Sequence, residues 1–249
     1  MCSSDLRVRR VNRCRPAPFS RLLIRTPHRM HFPKLATLGL GLSLALPVVA
    51  QTADGSYWSE YARPANVTNV RILGTQFLIE TPTAYHFYSG LHRRWVVHPV
   101  TAPSILGFTN AYCLFRDGNT VYGFSTRSGR VAALPTSGTI TASIGSASSS
   151  WTAYVIDGTT VNAFSGFFGD FVPLTVAATP TMAINSHIVT CNDGATLSAF
   201  SAFHGTWVST PNRGATRINT WRNGSIAQFT GPDEVVAYSV YTNTWSSTL

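Results

Sequence analysis

Acidic residues are scarce: ten Asp and Glu stand against nineteen Lys and Arg in 249 residues. A catalytic carboxylate pair therefore has few candidates. Asp117, Asp157 and Asp193 each precede a glycine and read as turn residues. Glu60, Glu80, Asp170, Asp233 and Glu234 are scattered, and nothing singles out a pair for glycoside hydrolysis. Cysteine is scarcer still. Of four, Cys2 and Cys14 fall near the start, while Cys113 and Cys191 show neither CxxC spacing nor a nearby histidine partner. These two also lie two repeats apart, too far for the ~5.5 Å Cα separation of a disulfide, so they are expected as buried free thiols. The only long apolar run, Leu35–Val49, is short for a bilayer crossing. No 3.6-residue apolar period is sustained after residue 50, which excludes helical solenoids. A Gly-x-Ser-x-Gly elbow and a phosphate-binding loop are also absent. No catalytic residue, metal ligand set or cofactor is assigned.

The net charge of +9 suggests a nucleic-acid partner until the charges are placed. Residues 1–50 hold eight Arg and Lys34 against Asp5, while residues 51–249 hold ten Arg against nine acids. The basicity belongs to a leader, and the near-neutral body gives no reason to expect nucleic-acid binding. From Met30 the chain reads as a secretory signal: Met-His-Phe-Pro-Lys, the apolar run, then Val48 and Ala50 at −3 and −1 of a cut before Gln51. Residues 30–50 are thus assigned as signal peptide, with cleavage between Ala50 and Gln51. Residues 1–29 are Arg-rich, have no apolar period and read as an upstream extension outside the native protein; an organellar presequence is the alternative. Residues 51–57 form a short linker and 58–249 the folded domain. A mature chain without a stable membrane span, secreted or periplasmic, is expected.

What the body does contain is a phrase repeated five times: aromatic-Ser, five variable residues, then a bulky apolar residue. The copies are Tyr88-Ser89 with Trp95, Phe124-Ser125 with Val131, Phe164-Ser165 with Phe171, Phe200-Ser201 with Trp207, and Tyr238-Ser239 with Trp245. The anchors are spaced by 36, 40, 36 and 38 residues. A fixed period in this range marks a propeller or solenoid. The third copy reads as four strands: Thr139–Ile144, Trp151–Ile156, Thr160–Ser165 and Phe171–Leu174, with Asp157-Gly158 as a tight hairpin turn. Both faces of the third strand are uncharged, as a sheet stacked between two others requires. The residue before the anchor is small in four copies, Gly123, Ala163, Ala199 and Ala237, where a neighbouring backbone is expected to approach. The fold class is therefore all-β: a propeller of four-stranded antiparallel blades. Trp58, 37 residues before Trp95, looks like a fourth strand lacking its first three. Five repeats plus one spare strand suggest a truncated six-bladed ring.

The phrase, with Gly or Asn two before the Trp, resembles the blade motif of kelch-repeat propellers, most closely at Tyr238-Ser239-Val240-Tyr241-Thr242-Asn243-Thr244-Trp245. That family's paired glycines are missing here, Ser replaces its Asp, and the Trp is lost at Val131 and Phe171. The chain thus resembles a divergent, secreted bacterial cousin. Asp117-Gly118 through Gly129 also resembles quinoprotein propeller repeats, whose docking motif is about two residues longer. The sialidase Asp-box phrase is absent.

The repeat lengths leave every loop short, which suits a binding or scaffolding role better than a loop-built active site. His92 and His204 lie four after their anchors but in different blades, which does not favour a shared metal. The residue three after each anchor is Leu91, Arg127, Phe167, Phe203 or Tyr241, and Phe168 follows Phe167. Phe167, Phe168, Phe203, Tyr241 and Arg127 are candidates for a rim that contacts a protein or glycan partner; alternatively each ring folds onto its own blade's outer strand. The function expected is a protein- or glycan-binding module without chemistry. The alternative is an extracytoplasmic enzyme, a hydrolase or quinone-linked oxidoreductase.

Overall fold

The computed structural model describes residues 61–145, 148–220 and 224–248, together with the backbone of two short strands, Val49–Gln51 (β1) and Tyr57–Ser59 (β2). The signal and upstream assignments across residues 1–48 lie outside the described residues.

Five four-stranded antiparallel sheets follow one another, each a simple meander. Blade 1 comprises Asn69–Leu73, Gln76–Glu80, Ala84–Ser89 and Arg94–Pro99. Blade 2 comprises Pro103–Phe108, Tyr112–Asp117, Thr120–Ser125 and Arg130–Pro135. Blade 3 comprises Thr141–Ile144, Thr152–Asp157, Thr160–Ser165 and Asp170–Thr175. Blade 4 comprises Thr181–Ile184, Ile188–Asn192, Thr196–Ser201 and Thr206–Pro211. Blade 5 comprises Arg217–Thr220, Ile226–Thr230, Val235–Ser239 and Thr244–Ser247. The described residues include no helix. The architecture is a β-propeller with five blades.

Local chemistry sets each blade. Gly118 and Gly158 turn the second hairpin at φ +59°. The residue two before the bulky apolar position turns the third hairpin in the left-handed region: Gly129, Gly169 and Gly205 in the middle blades, Arg93 and Asn243 in the outer ones. Glycine enters that region without the Cβ clash that other residues meet, and asparagine tolerates it better than most. This accounts for the Gly/Asn preference at that position.

The third strands are buried on both faces. Val161, Asn162, Ala163, Phe164 and Ser165 are all buried in blade 3. Phe124, Phe164, Phe200 and Tyr238 are fully buried, and each ring faces the preceding blade. The small residue before the anchor proves to be a socket for the next anchor ring rather than for backbone. A Cβ on Gly123 would lie 2.3 Å from the Phe164 ring. In blade 1 the socket holds Phe87, which stacks on Phe124 at 4.5 Å.

The serine after each of the first four anchors joins blades. Ser89 Oγ donates to Thr126 O (2.6 Å), Ser125 to Gly166 O (2.6 Å), Ser165 to Ala202 O (2.9 Å) and Ser201 to Val240 O (3.2 Å). Tryptophan links backwards: Trp207 Nε1 donates to Val172 O and Trp245 Nε1 to Val208 O, both at 3.0 Å. Anchor and tryptophan pack together, with Phe200 and Trp207 ring centroids 5.4 Å apart.

The strand containing Trp58 is not solitary. Its backbone pairs antiparallel with Val49–Gln51.

Candidate functional site

In an up-and-down blade, the loop from strand one to two and the hairpin from strand three to four lie at the same end. The residues three after the anchors occupy that end, and they touch across blades. Arg127 Cζ sits 4.8 Å from the centroid of Phe167. Phe167 meets Phe203 edge-on at 4.7 Å, and Phe203 lies near-parallel to Tyr241 at 5.8 Å. Two residues just ahead of the second strands complete the row: Trp151 against Phe167 at 4.1 Å and His187 against Phe203 at 4.8 Å. The Tyr241 hydroxyl is 3.3 Å from Ser225 Oγ. Four consecutive blades thus build one continuous aromatic row with a guanidinium at one end.

The candidates are not equivalent within it. Tyr241 is 67 % exposed, Arg127 is exposed, and Phe167 and Phe203 are half-buried. Phe168 leaves the row: its ring lies over Gly205 of the next hairpin, where a Cβ would come within 2.7 Å. Leu91, the blade 1 counterpart, is exposed and has no part in the chain of ring contacts. Phe167 and Phe203 rest against rings of neighbouring loops and hairpins, while Tyr241 stays largely exposed. Sequence reasoning missed Trp151 and His187. Both adjoin the second strand, and Trp151 reads as part of that strand's apolar run.

Several other polar side chains are engaged in local contacts. His92 Nε2 contacts Arg127 O, and His204 Nδ1 lies 3.1 Å from Ser201 Oγ. His98 packs on Tyr122 at 4.4 Å, and burial lowers its pKa, with Asp117 acting weakly the other way. Cys113 and Cys191 are buried free thiols; burial raises both, Cys191 to about 12. Neither is poised as a thiolate at neutral pH.

Each acid of the Asp-Gly turns receives the loop that enters its blade. Asp117 accepts from the Thr101 and Ala102 amides, Asp157 from the Ser137 amide and hydroxyl, and Asp193 from the Ala177 amide. Glu80 pairs with Arg71 within blade 1, and Asp170 pairs with Arg130 of the preceding blade, both at 2.5 Å. Among the described residues, no three His, Cys, Asp or Glu side chains gather where they could hold a metal ion. A groove of about 270 Å³ between blades 4 and 5 is lined by Arg213, Glu234 and Trp245 with the hydroxyls of Thr210, Ser246 and Ser247, and holds one acid rather than a pair.

No family model matches the chain, and no curated protein matches it. Among solved structures, it is similar to Hsv2 of Kluyveromyces lactis, at 9 % identity and TM-score 0.33 over 73 % of this chain and 63 % of that one. It is also similar to PorZ of Porphyromonas gingivalis, described as a bacterial surface component of the type-IX secretion system. There identity is 8 % and the TM-score 0.36, over 73 % of this chain and 26 % of PorZ. The β-propeller domain of Swd1 from Myceliophteria thermophila aligns at 10 % identity and TM-score 0.29, over 72 % and 66 % of the two chains. The chain thus spans less than two thirds of the length of these proteins.

Proposed function

We propose that the chain is an extracytoplasmic binding module that takes a protein or glycan partner on the aromatic row and performs no chemistry itself. The observation that carries this reading is the contact chain Arg127–Phe167–Phe203–Tyr241, drawn from four blades. Aromatic faces present large, rigid contact area that suits sugar C–H faces or apolar side chains. Arg127 at the end of the row offers charge-assisted hydrogen bonds to an acidic group. The leader across residues 30–50 supports delivery outside the cytoplasm, and the repeat phrase supports a divergent kelch-like subtype.

The test uses the exposed ends of the row. Phe167 and Phe203 are half-buried, so their replacement alters stability as well as surface. Tyr241→Ala with Arg127→Ala removes exposed contacts and should hold the melting temperature within about 2 °C. On a glycan array and against immobilised extracellular proteins, the parent chain should bind a defined partner and the double variant should lose it. Binding that survives the double substitution refutes this surface.

A further inference from the structure

The hairpins between strands three and four divide by charge. From the anchor serine to the first residue of strand four, blades 1 and 2 carry Arg93, Arg94, Arg127 and Arg130 with His92, and no acid. The matching stretches of blades 3, 4 and 5 carry the rings Phe167, Phe168, Phe203 and Tyr241, and no arginine. The two cationic hairpins lie against each other: His92 Nε2 contacts Arg127 O, and Arg94 donates to Gly129 O. The cationic half meets the aromatic half where Arg127 lies on Phe167.

Two of the four arginines are left for a ligand. Arg94 is bonded to the Gly129 carbonyl, and Arg130 is paired with Asp170. Arg93 and Arg127 are exposed, and among the described residues neither guanidinium meets a carboxylate or a carbonyl. A guanidinium lying over an aromatic ring keeps its in-plane N–H donors for another partner. Arg93 also stands at φ +52°, where the other four hairpins place Gly129, Gly169, Gly205 and Asn243. A glycine there would be free of the Cβ clash. Blade 1 instead keeps a second exposed cation on a strained backbone.

The backbone at the junction is already satisfied. All the amides of residues 126–129 and 166–169 donate within the protein. The carbonyls of Thr126, Arg127, Gly129, Gly166 and Phe168 accept from side chains of the preceding blade. A polypeptide laid across these tips finds no amide for its own carbonyls, so recognition through the main chain is closed to it. What remains on offer is side-chain chemistry: guanidinium forks at one end and rings at the other. From Phe167 to Phe203 to Tyr241 the centroids advance by 4.7 and 5.8 Å, a step comparable with the length of one sugar ring.

We propose that these hairpins bind an acidic polysaccharide built of uronic acid residues, with carboxylates on Arg93 and Arg127 and sugar rings along Phe203 and Tyr241. The proposal rests on the binding reading above and narrows it to one ligand class. A carboxylate matches the guanidinium fork through two parallel charge-assisted hydrogen bonds. The C–H face of a sugar matches the face of an aromatic ring, which supplies rigid contact area at little entropic cost. A chain of linked uronates presents both features at every residue, so one strand of it can lie across the charge boundary.

The probes are tetragalacturonate, tetramannuronate, and tetragalacturonate methyl-esterified at every carboxyl, which keeps the sugar and loses the charge. A polyglutamate peptide tests an acidic protein in their place. Binding to the full chain is measured by titration calorimetry. At least one uronate should bind, more weakly as salt is raised, because exposed charges are screened. The ester should bind at least about tenfold more weakly, and the peptide not measurably. Arg93→Gly should weaken uronate binding about tenfold, the loss of one charge-assisted contact, with a melting temperature at or above the parent's. Tyr241→Ala should weaken it as well. Failure of both uronates, equal binding of the ester, binding of the peptide instead, or indifference to either substitution overturns the proposal. A neutral glycan or a protein that is lost on Tyr241→Ala with Arg127→Ala would sustain the binding reading above and still remove this one.

Discussion

In each of the first four repeats one serine hydroxyl serves two blades. Ser165 Oγ accepts from the Phe167 and Phe168 amides at 3.2 Å and donates to Ala202 O of the next blade. A serine does this without placing a charge between two packed sheets, where an aspartate would be costly and could not donate when ionised. Removing it leaves buried amides and a buried carbonyl short of partners, a loss of about 1–3 kcal/mol. Ser165→Ala should therefore lower unfolding free energy by that amount in urea titration. Ser239→Ala, which breaks no bond to a following blade, should cost under about 0.5 kcal/mol. Equal losses would mean that the serines act only within their own turns.

Within and between strands, the spacing of blades is set by what fills the socket before each anchor. Gly123 leaves room for the Phe164 ring, whereas Ala163 and Ala199 already carry a methyl at the same place. Gly123→Ala must push Phe164 off its neighbours and should destabilise by about 1–3 kcal/mol, measurable by chemical denaturation. The Asp-Gly hairpins add a pH-sensitive link. Hydrogen bonds from the Ser137 hydroxyl, and then its amide, hold the Asp157 carboxyl below its usual 3.8. A carboxylate with a depressed folded pKa stabilises above the unfolded value, and loses that contribution as pH falls through the folded one. The difference in melting temperature between parent and Asp157→Asn should thus be present at pH 6 and fade below pH 3.8. An unchanged difference down to pH 2 would show that the carboxylate charge is not involved.

Among the described residues, near-equal blades follow one another and pack mainly on their neighbours. Stability in such arrays is close to a sum of unit and neighbour contributions. Among the described residues, blade 3 is packed on both sides, whereas Ile72 of blade 1 and Ile226 of blade 5 are exposed. Amide exchange should accordingly be slowest in Thr160–Ser165 and faster in the matching third strands, Ala84–Ser89 and Val235–Ser239. Uniform protection across the five third strands would mean that the end faces are covered in solution.

The sequence by itself determined the blade. Its period, the Asp-Gly turns, the Gly/Asn hairpin position and the two-sided apolar third strand are all local features, fixed by backbone sterics and by alternation of side chains. The strands read at 139–174 match the observed ones to within two residues at every end. Tertiary structure decided what one repeat does to the next. The serine reads as a turn residue, and only a neighbouring carbonyl at 2.6–3.2 Å makes it a bond between blades. Phe167 and Phe168 are adjacent in sequence, yet one joins the aromatic row and the other covers Gly205. Those outcomes depend on the distance and rotation between sheets, which follow from how side chains of two different repeats fill one space; a pattern read along a single strand carries no record of that.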